Sequence, residues 1–274
     1  MLNVTPDSFS DGGAFVGVEA ALLHGVRLMR EGAHVLDIGG ESSRPPGKTY
    51  GAVSGVSEAE ELRRVLPVIK GLHAYGARMS IDTVKAGVAE QAVLAGASII
   101  NDVSCARSEA LLRVAAASGV ELVLMHNRGR GERSATNVRY TDVAIEVRDE
   151  LMGALDRAVT AGVSADRVWF DPGIGFAKTA RQSAELLART DVLVATGQRV
   201  LIGTSRKSFI AELAPLANGG VPEAQQRLGG SAASLAIPIF LGAHAVRVHD
   251  VLEMRQAADL ALSLRASLAR EARP

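Results

Sequence analysis

Two hydrophobic patterns alternate along this chain. Short apolar runs recur about every 30 residues, the period of a βα unit, and each stops at polar residues. HVLDIGG carries Asp37, RMSIDT carries Asp82, SIIND ends on Asn101-Asp102 and ELVLMH ends on His126. VWFD ends on Asp171, VLIGTSRK runs into Ser205-Arg206-Lys207, and AVRVHD carries Arg247, His249 and Asp250. Runs this short and apolar read as parallel strands buried on both faces. They place strands near Val35 to Ile38, Met79 to Asp82, Ser98 to Val103, Leu122 to His126, Val168 to Asp171, Val200 to Gly203 and Ala245 to His249. The remaining strand is Met1-Leu2-Asn3, a truncated first strand.

Between the runs, apolar residues step by three or four, the spacing of one helix face. Val18, Leu22, Val26, Met29 and Ala33 form one stripe. Ala59, Leu62, Val65, Ile69 and Leu72 form another, behind a capping box at Ser57-Glu58-Ala59-Glu60. Val251, Met254, Ala258, Ala261, Leu264 and Leu268 make the last. Strand and helix in strict alternation predict an α/β fold, a (β/α)8 barrel, with residues 1–274 as a single domain. In such a barrel the residues just past the strands' carboxyl ends gather on one face, where catalysis sits.

Three segments exceed ordinary connectors: Thr5 to Gly17, Gly39 to Gly55 and Asn127 to Tyr140. Loops of that length in a compact domain are commonly lids or binding loops. The first two follow strands one and two, which assigns them to the catalytic face.

Charge removes several function classes. Thirty basic and 30 acidic residues cancel, and no basic run marks a nucleic-acid surface. Cys105 is the one cysteine, so no intrachain disulfide forms and the cytoplasm is the expected compartment. No apolar stretch has the roughly 20 residues of a membrane span, and MLNVTPDSFSDGG lacks the features of a secretion signal.

The remaining chemistry is anionic-substrate chemistry. Lys207 lies just past strand seven, where barrels of this class often bind anions. Arg247 and His249 alternate with Val246 and Val248, so period two sends both polar side chains to one side, the barrel interior or its rim. Asp171 ends its run at a strand mouth, where a carboxylate can accept two parallel hydrogen bonds, as it does from arginine.

Four long motifs go further: Asn3-Val4-Thr5-Pro6-Asp7-Ser8-Phe9-Ser10-Asp11-Gly12-Gly13, Asp37-Ile38-Gly39-Gly40-Glu41-Ser42-Ser43-Arg44-Pro45, Asp171-Pro172-Gly173-Ile174-Gly175-Phe176 and Gly203-Thr204-Ser205-Arg206-Lys207-Ser208. With Asp82-Thr83, Ile100-Asn101-Asp102 and Arg247-Val248-His249-Asp250 they closely resemble the bacterial dihydropteroate synthases, in register from Met1 to the last helix. The resemblance implies a TIM barrel that joins 6-hydroxymethyl-7,8-dihydropterin pyrophosphate to 4-aminobenzoate and releases pyrophosphate. It implies pterin contacts from Asp82, Asn101, Asp171 and Lys207, and pyrophosphate contacts from Asn3, Arg247 and His249. Asp82, Lys207, Arg247 and His249 are the implied catalytic set. Asp7, Phe9, Ser43, Arg44, Pro45, Phe176 and Ser208 would build the aminobenzoate pocket and its loops. Mg2+ would arrive with the substrate and meet Asn3, and no protein nucleophile is required. A homodimer through late helices is implied, with Gly229-Gly230-Ser231-Ala232-Ala233 against the twin subunit.

The chain departs from the family at four places. Its first strand is short, which predicts a natural start upstream of Met1. Ser43 replaces a threonine, Pro45-Pro46-Gly47 replaces Pro-Gly, and Ile174 stands where an aromatic is common. Two other readings fit parts of the pattern. A methyltetrahydrofolate methyltransferase would share the Asp and Asn contacts but not the Ser205-Arg206-Lys207 and Ser42-Ser43-Arg44-Pro45 motifs together. A non-catalytic or weakened paralogue would keep the fold alone.

Overall fold

The computed structural model describes residues 1–4, 14–41, 55–128 and 139–271. Contacts divide the chain into two units, Met1–Leu124 with Leu155–Val168, and Met125–Ala154 with Trp169–Pro274.

In the first unit β1 (Leu2–Asn3), β2 (Leu36–Gly39), β3 (Met79–Asp82) and β4 (Ile99–Asp102) pair in chain order, all parallel, and β4 pairs with β5 (Glu121–Met125). The apolar runs account for this. Every residue of β4 and β5 is buried, as strands covered on both faces require. The register sets Asn3 opposite Gly39 and Asp82 opposite Asn101. In-register residues of parallel strands share a face, so successive strands deliver these polar groups together.

Helices α1 (Ala14–Arg30), α2 (Glu58–Ala74), α3 (Ala86–Leu94) and α4 (Glu109–Ser118) connect these strands. The buried face of α1 is Ala21, Gly25 and Leu28, one position off the predicted Leu22-Val26-Met29 line, whose members are half-buried. Glycines explain the rotation. A Cβ on Gly25 would stand 2.7 Å from Leu72, and one on Gly71 would stand 2.5 Å from Leu22, so each helix seats its leucine over the other's glycine. Ser57 caps α2 by accepting the Glu60 N–H at 3.2 Å. The Glu60 side chain turns to Arg63 and Arg64 instead of closing the predicted capping box.

In the second unit β6 (Val168–Asp171), β7 (Arg199–Ile202) and β8 (Ala245–Val246) pair parallel in order. Helices α5 (Val143–Thr160), α6 (Ala180–Ala188), α7 (Asp191–Val194), α8 (Ser208–Leu213), α9 (Leu228–Phe240) and α10 (Val251–Glu271) complete the chain. Leu235 and Ile239 of α9 and Met254 and Ala261 of α10 form a core on which Val246 and Val248 pack. The last strand is shorter than predicted, so Arg247 and His249 lie beyond it. The alternation survives past its end, because Val246 and Val248 face the helices. The α10 stripe stops at Ala261, leaving Leu264 and Leu268 exposed. Gly230 packs against Ile210, and buried Ser231 accepts the Arg206 N–H, so this part of the small-residue segment is occupied within the chain.

Candidate active site

Each unit brings together part of the predicted set. In the first unit the carboxyl ends of β1 to β4 present Asn3, Gly39, Asp82 and Asn101 in a row. Gly39 carries no side chain there, and a Cβ on it would lie 3.5 Å from that of Asp82. Asp82 is half-buried and Asn3 exposed. Asn101 is 3% exposed and its Oδ1 has no hydrogen-bond partner among the described residues. A buried amide oxygen left unsatisfied costs about 1–3 kcal/mol, which a ligand N–H would recover. Its neighbour Asp102 is already spent. Its carboxylate accepts from Ser104 N at 2.8 Å and Ala106 N at 2.7 Å, shaping the turn after β4.

In the second unit Asp171 ends β6 and is 4% exposed. One oxygen, Oδ1, accepts the Gly173 N–H at 2.7 Å. A Cβ placed on Gly203, just past β7, would lie 3.9 Å from the other oxygen, 3.8 Å from Lys207 Nζ and 3.7 Å from Arg247 Cβ. An acid and two cations thus border one glycine. Burial pushes the Asp171 carboxyl up, and Lys207, the Gly173 N–H, Arg247 and Lys178 work against that rise.

Lys207 donates to the Ile174 carbonyl at 2.6 Å and stands 5.0 Å from the centre of the Phe176 ring. That anchors the ammonium and leaves an apolar ring beside it. Ile174 itself is fully buried. Ser208 is exposed at the first position of α8, directly after Lys207. The Ser205 hydroxyl accepts the His249 N–H at 3.2 Å and lies 3.0 Å from its Nδ1. Having accepted one bond, the hydroxyl can donate its own proton to Nδ1, an arrangement in which the ring proton lies on Nε2. Arg206 turns away to a bidentate pair with Asp250, removing both from the candidate set.

Asp7, Phe9, Ser43, Arg44 and Pro45 lie outside the described residues. Gly203 and Thr204 fall inside a quoted motif without an assigned role, and Lys178 falls in none. Thr204 is buried with no partner for its hydroxyl among the described residues. Lys178 is 5% exposed and follows Phe176 by two residues.

Among the described residues no group of three or more His, Cys, Asp or Glu could hold an ion. Asn3 offers an exposed amide oxygen, a hard ligand suited to an ion that brings water and phosphate oxygens with it. The residues therefore fit a cation delivered on a diphosphate. Among the described residues no helix is long and apolar enough to cross a membrane.

Comparison with known proteins matches residues 1–249 to the family described as pterin binding enzyme. A dihydropteroate synthase of Mycobacterium leprae is 44% identical over 92% of this chain and 87% of its own. The Xanthomonas albilineans dihydropteroate synthase solved with 4-aminobenzoic acid superposes with a TM-score of 0.86, at 42% identity over 97% of this chain and 91% of that one. The same enzyme in complex with 7,8-dihydropteroate gives 0.82 at 40% identity, over 97% and 92% of the two chains. The likeness shows the fold class, a TIM (β/α)8 barrel.

Proposed function

The chain belongs to the dihydropteroate synthases of the pterin-binding enzyme family, and we propose that it condenses 6-hydroxymethyl-7,8-dihydropterin pyrophosphate with 4-aminobenzoate to give 7,8-dihydropteroate and pyrophosphate. It is a transferase of folate biosynthesis. The observation that carries the reading is the meeting of Asp171, Lys207 and Arg247 around Gly203.

Asp171 accepts the amidine-like edge of the pterin, with Asp82, Asn101 and Lys207 taking its other polar atoms. Each charged hydrogen bond of this kind contributes about 1.5–3 kcal/mol. Asn3, Arg247 and His249 hold the pyrophosphate, His249 through an Nε2 proton set by Ser205. Asn3 would hold a Mg2+ ion arriving with the substrate, and that ion would supply charge neutralisation at the pyrophosphate. The bond from the methylene carbon to the pyrophosphate oxygen breaks, leaving a cation spread over the pterin. Asp82 and Asp171 favour that charge. The neutral amine of 4-aminobenzoate attacks the carbon and loses a proton. Phe176 and Ser208, with Asp7, Phe9, Ser43, Arg44 and Pro45 of the long loops, orient the amine and exclude water.

The reaction needs no cofactor besides the ion, and the whole chain acts as one cytoplasmic catalytic domain. Leu260, Leu264 and Leu268 stand on one exposed line of α10, with exposed Ile237 on α9. An apolar line of that length suits a second subunit, and we assign the homodimer contact to it.

Two variants test the assignments. Asp82→Ala should abolish turnover while leaving the thermal melt of the protein in place; near-native activity would refute the role. Arg247→Ala should weaken the pyrophosphate substrate in calorimetry by more than it weakens the pterin lacking that group, which loses only a cation facing Asp171. Equal affinity for the pyrophosphate form would remove Arg247 from the anion site.

A further inference from the structure

A buried network outside the residues assigned above is centred on Lys178. Its ammonium has three protons and three acceptors: the Gly173 carbonyl at 3.1 Å, the Phe176 carbonyl at 3.1 Å and His126 Nδ1 at 2.9 Å. His126 is fully buried and places its other nitrogen, Nε2, 3.0 Å from Glu150 Oε2 on α5. Glu150 in turn is held by Arg128, which also pairs with Glu146 and covers the Tyr140 ring at 4.0 Å. An ammonium only donates, so Nδ1 must be the acceptor and Nε2 must carry the ring proton toward Glu150. The direction of every bond in the relay follows.

The stretch that Lys178 holds is the one that shapes the pterin end. Gly173 has a φ of 64° and gives its N–H to Asp171, while the carbonyl of Ile174 anchors Lys207 and Phe176 lies beside that lysine. A Cβ on Gly173 would collide with the His126 carbonyl, so the turn sits directly on the residue that holds Lys178. The His126 N–H also donates to the Asp171 carbonyl at 2.8 Å.

We infer that Lys178, oriented by His126, is a positioning residue for pterin recognition: it clamps the turn from Gly173 to Phe176 and supplies a fixed positive charge behind Asp171. This rests on the reading of Asp171 as the pterin acceptor. The charges that face Asp171 are Lys207 from the β7–α8 connection, Arg247 after β8 and Lys178 after β6. Behind Lys178 stand His126 after β5 and Glu150 of α5, followed by Arg128, Glu146 and Tyr140. Burial alone would protonate Asp171, and Lys178 is one of the cations opposing that.

The test measures binding of 6-hydroxymethyl-7,8-dihydropterin, the substrate without its pyrophosphate, as a function of pH. Lys178→Met should weaken it roughly tenfold near neutral pH and move the acid limb of binding up by about one pH unit, a shift that a purely structural lesion would not produce. Lys178→Gln, which keeps two N–H donors but loses the charge, should show the same acid-limb shift with less loss of affinity. A folded variant of either kind with unchanged affinity and acid limb overturns the inference. Nitrogen NMR of the unmodified protein adds a readout that no folding defect can obscure. Between about pH 5 and 8, His126 should hold its proton on Nε2 and show Nδ1 as an acceptor; a proton on Nδ1 overturns the inference. Asp171→Asn separates the two claims. If that variant still binds the pterin, the Asp171 reading fails; if only the Lys178 variants are silent, the inference fails alone.

Discussion

At the residue scale the two oxygens of Asp171 have separate duties. Oδ1 is fixed by the Gly173 N–H, and the other borders Gly203 with Lys207 and Arg247 around it. Asp171→Asn should therefore cost about 3 kcal/mol or more of pterin binding, since an amide cannot accept through both positions. Calorimetry reads this directly, and a loss below about 1 kcal/mol would speak against the charged contact. Ala177 makes a different prediction. It is buried with a φ of 49°, in the left-handed region that an alanine enters at a cost. Ala177→Gly should relieve that strain, offset by about 0.4–1 kcal/mol of added freedom in the unfolded chain, for a net gain under about 1 kcal/mol in urea denaturation.

His126 supplies a pH prediction. Burial first, and the Lys178 ammonium next, hold its imidazole down from 6.5 to about 4. A folded value below the unfolded one gives stability that is complete above about pH 6.5 and is lost as pH falls through about 4. The lost contribution is roughly 3 kcal/mol. Urea midpoints across that window should fall steeply for the unmodified chain and less steeply for His126→Asn. Parallel curves would mean that His126 is protonated as readily folded as unfolded.

At the element scale the strand assignments were legible because burial on both faces leaves an uninterrupted apolar run. Met79–Asp82 and Val168–Asp171 fall on the predicted positions. What the pattern missed was contact chemistry between elements. The α1 stripe turned by one position because Gly25 and Gly71 admit leucines, and spacing alone does not show a glycine's partner. In α2 Val65, Ile69 and Leu72 are buried as the stripe predicts, but near the start of the helix the buried residue is Glu61, 1% exposed, where apolar counting chose Leu62. Glu61 is buried because Lys85 reaches it at 2.6 Å and also holds Glu41, after β2, at 2.5 Å. Lys85→Met would strand a buried carboxylate. It should cost about 3 kcal/mol in urea denaturation, and a loss under about 1 kcal/mol would show that water reaches Glu61. Of the candidate site, the strand-end residues were legible as polar stops. Lys178 was not, because its importance lies in three acceptors contributed by the turn and by a histidine about 50 residues earlier.

At the scale of the whole molecule, the proposed reaction and the proposed subunit contact each have a direct test. The exposed leucines of α10 give the contact its test. Leu260→Glu with Leu264→Glu should shift the protein from dimer to monomer in sedimentation, with no change in secondary structure; an unmoved dimer would place the interface elsewhere. The reaction is tested most directly by following both products in one assay. With 6-hydroxymethyl-7,8-dihydropterin pyrophosphate, 4-aminobenzoate and Mg2+, the unmodified chain should release pyrophosphate and form 7,8-dihydropteroate in equal amounts, and Asp171→Asn should do neither at a comparable rate. Pyrophosphate release without matching dihydropteroate, or no release from a folded protein supplied with both substrates, would contradict the account.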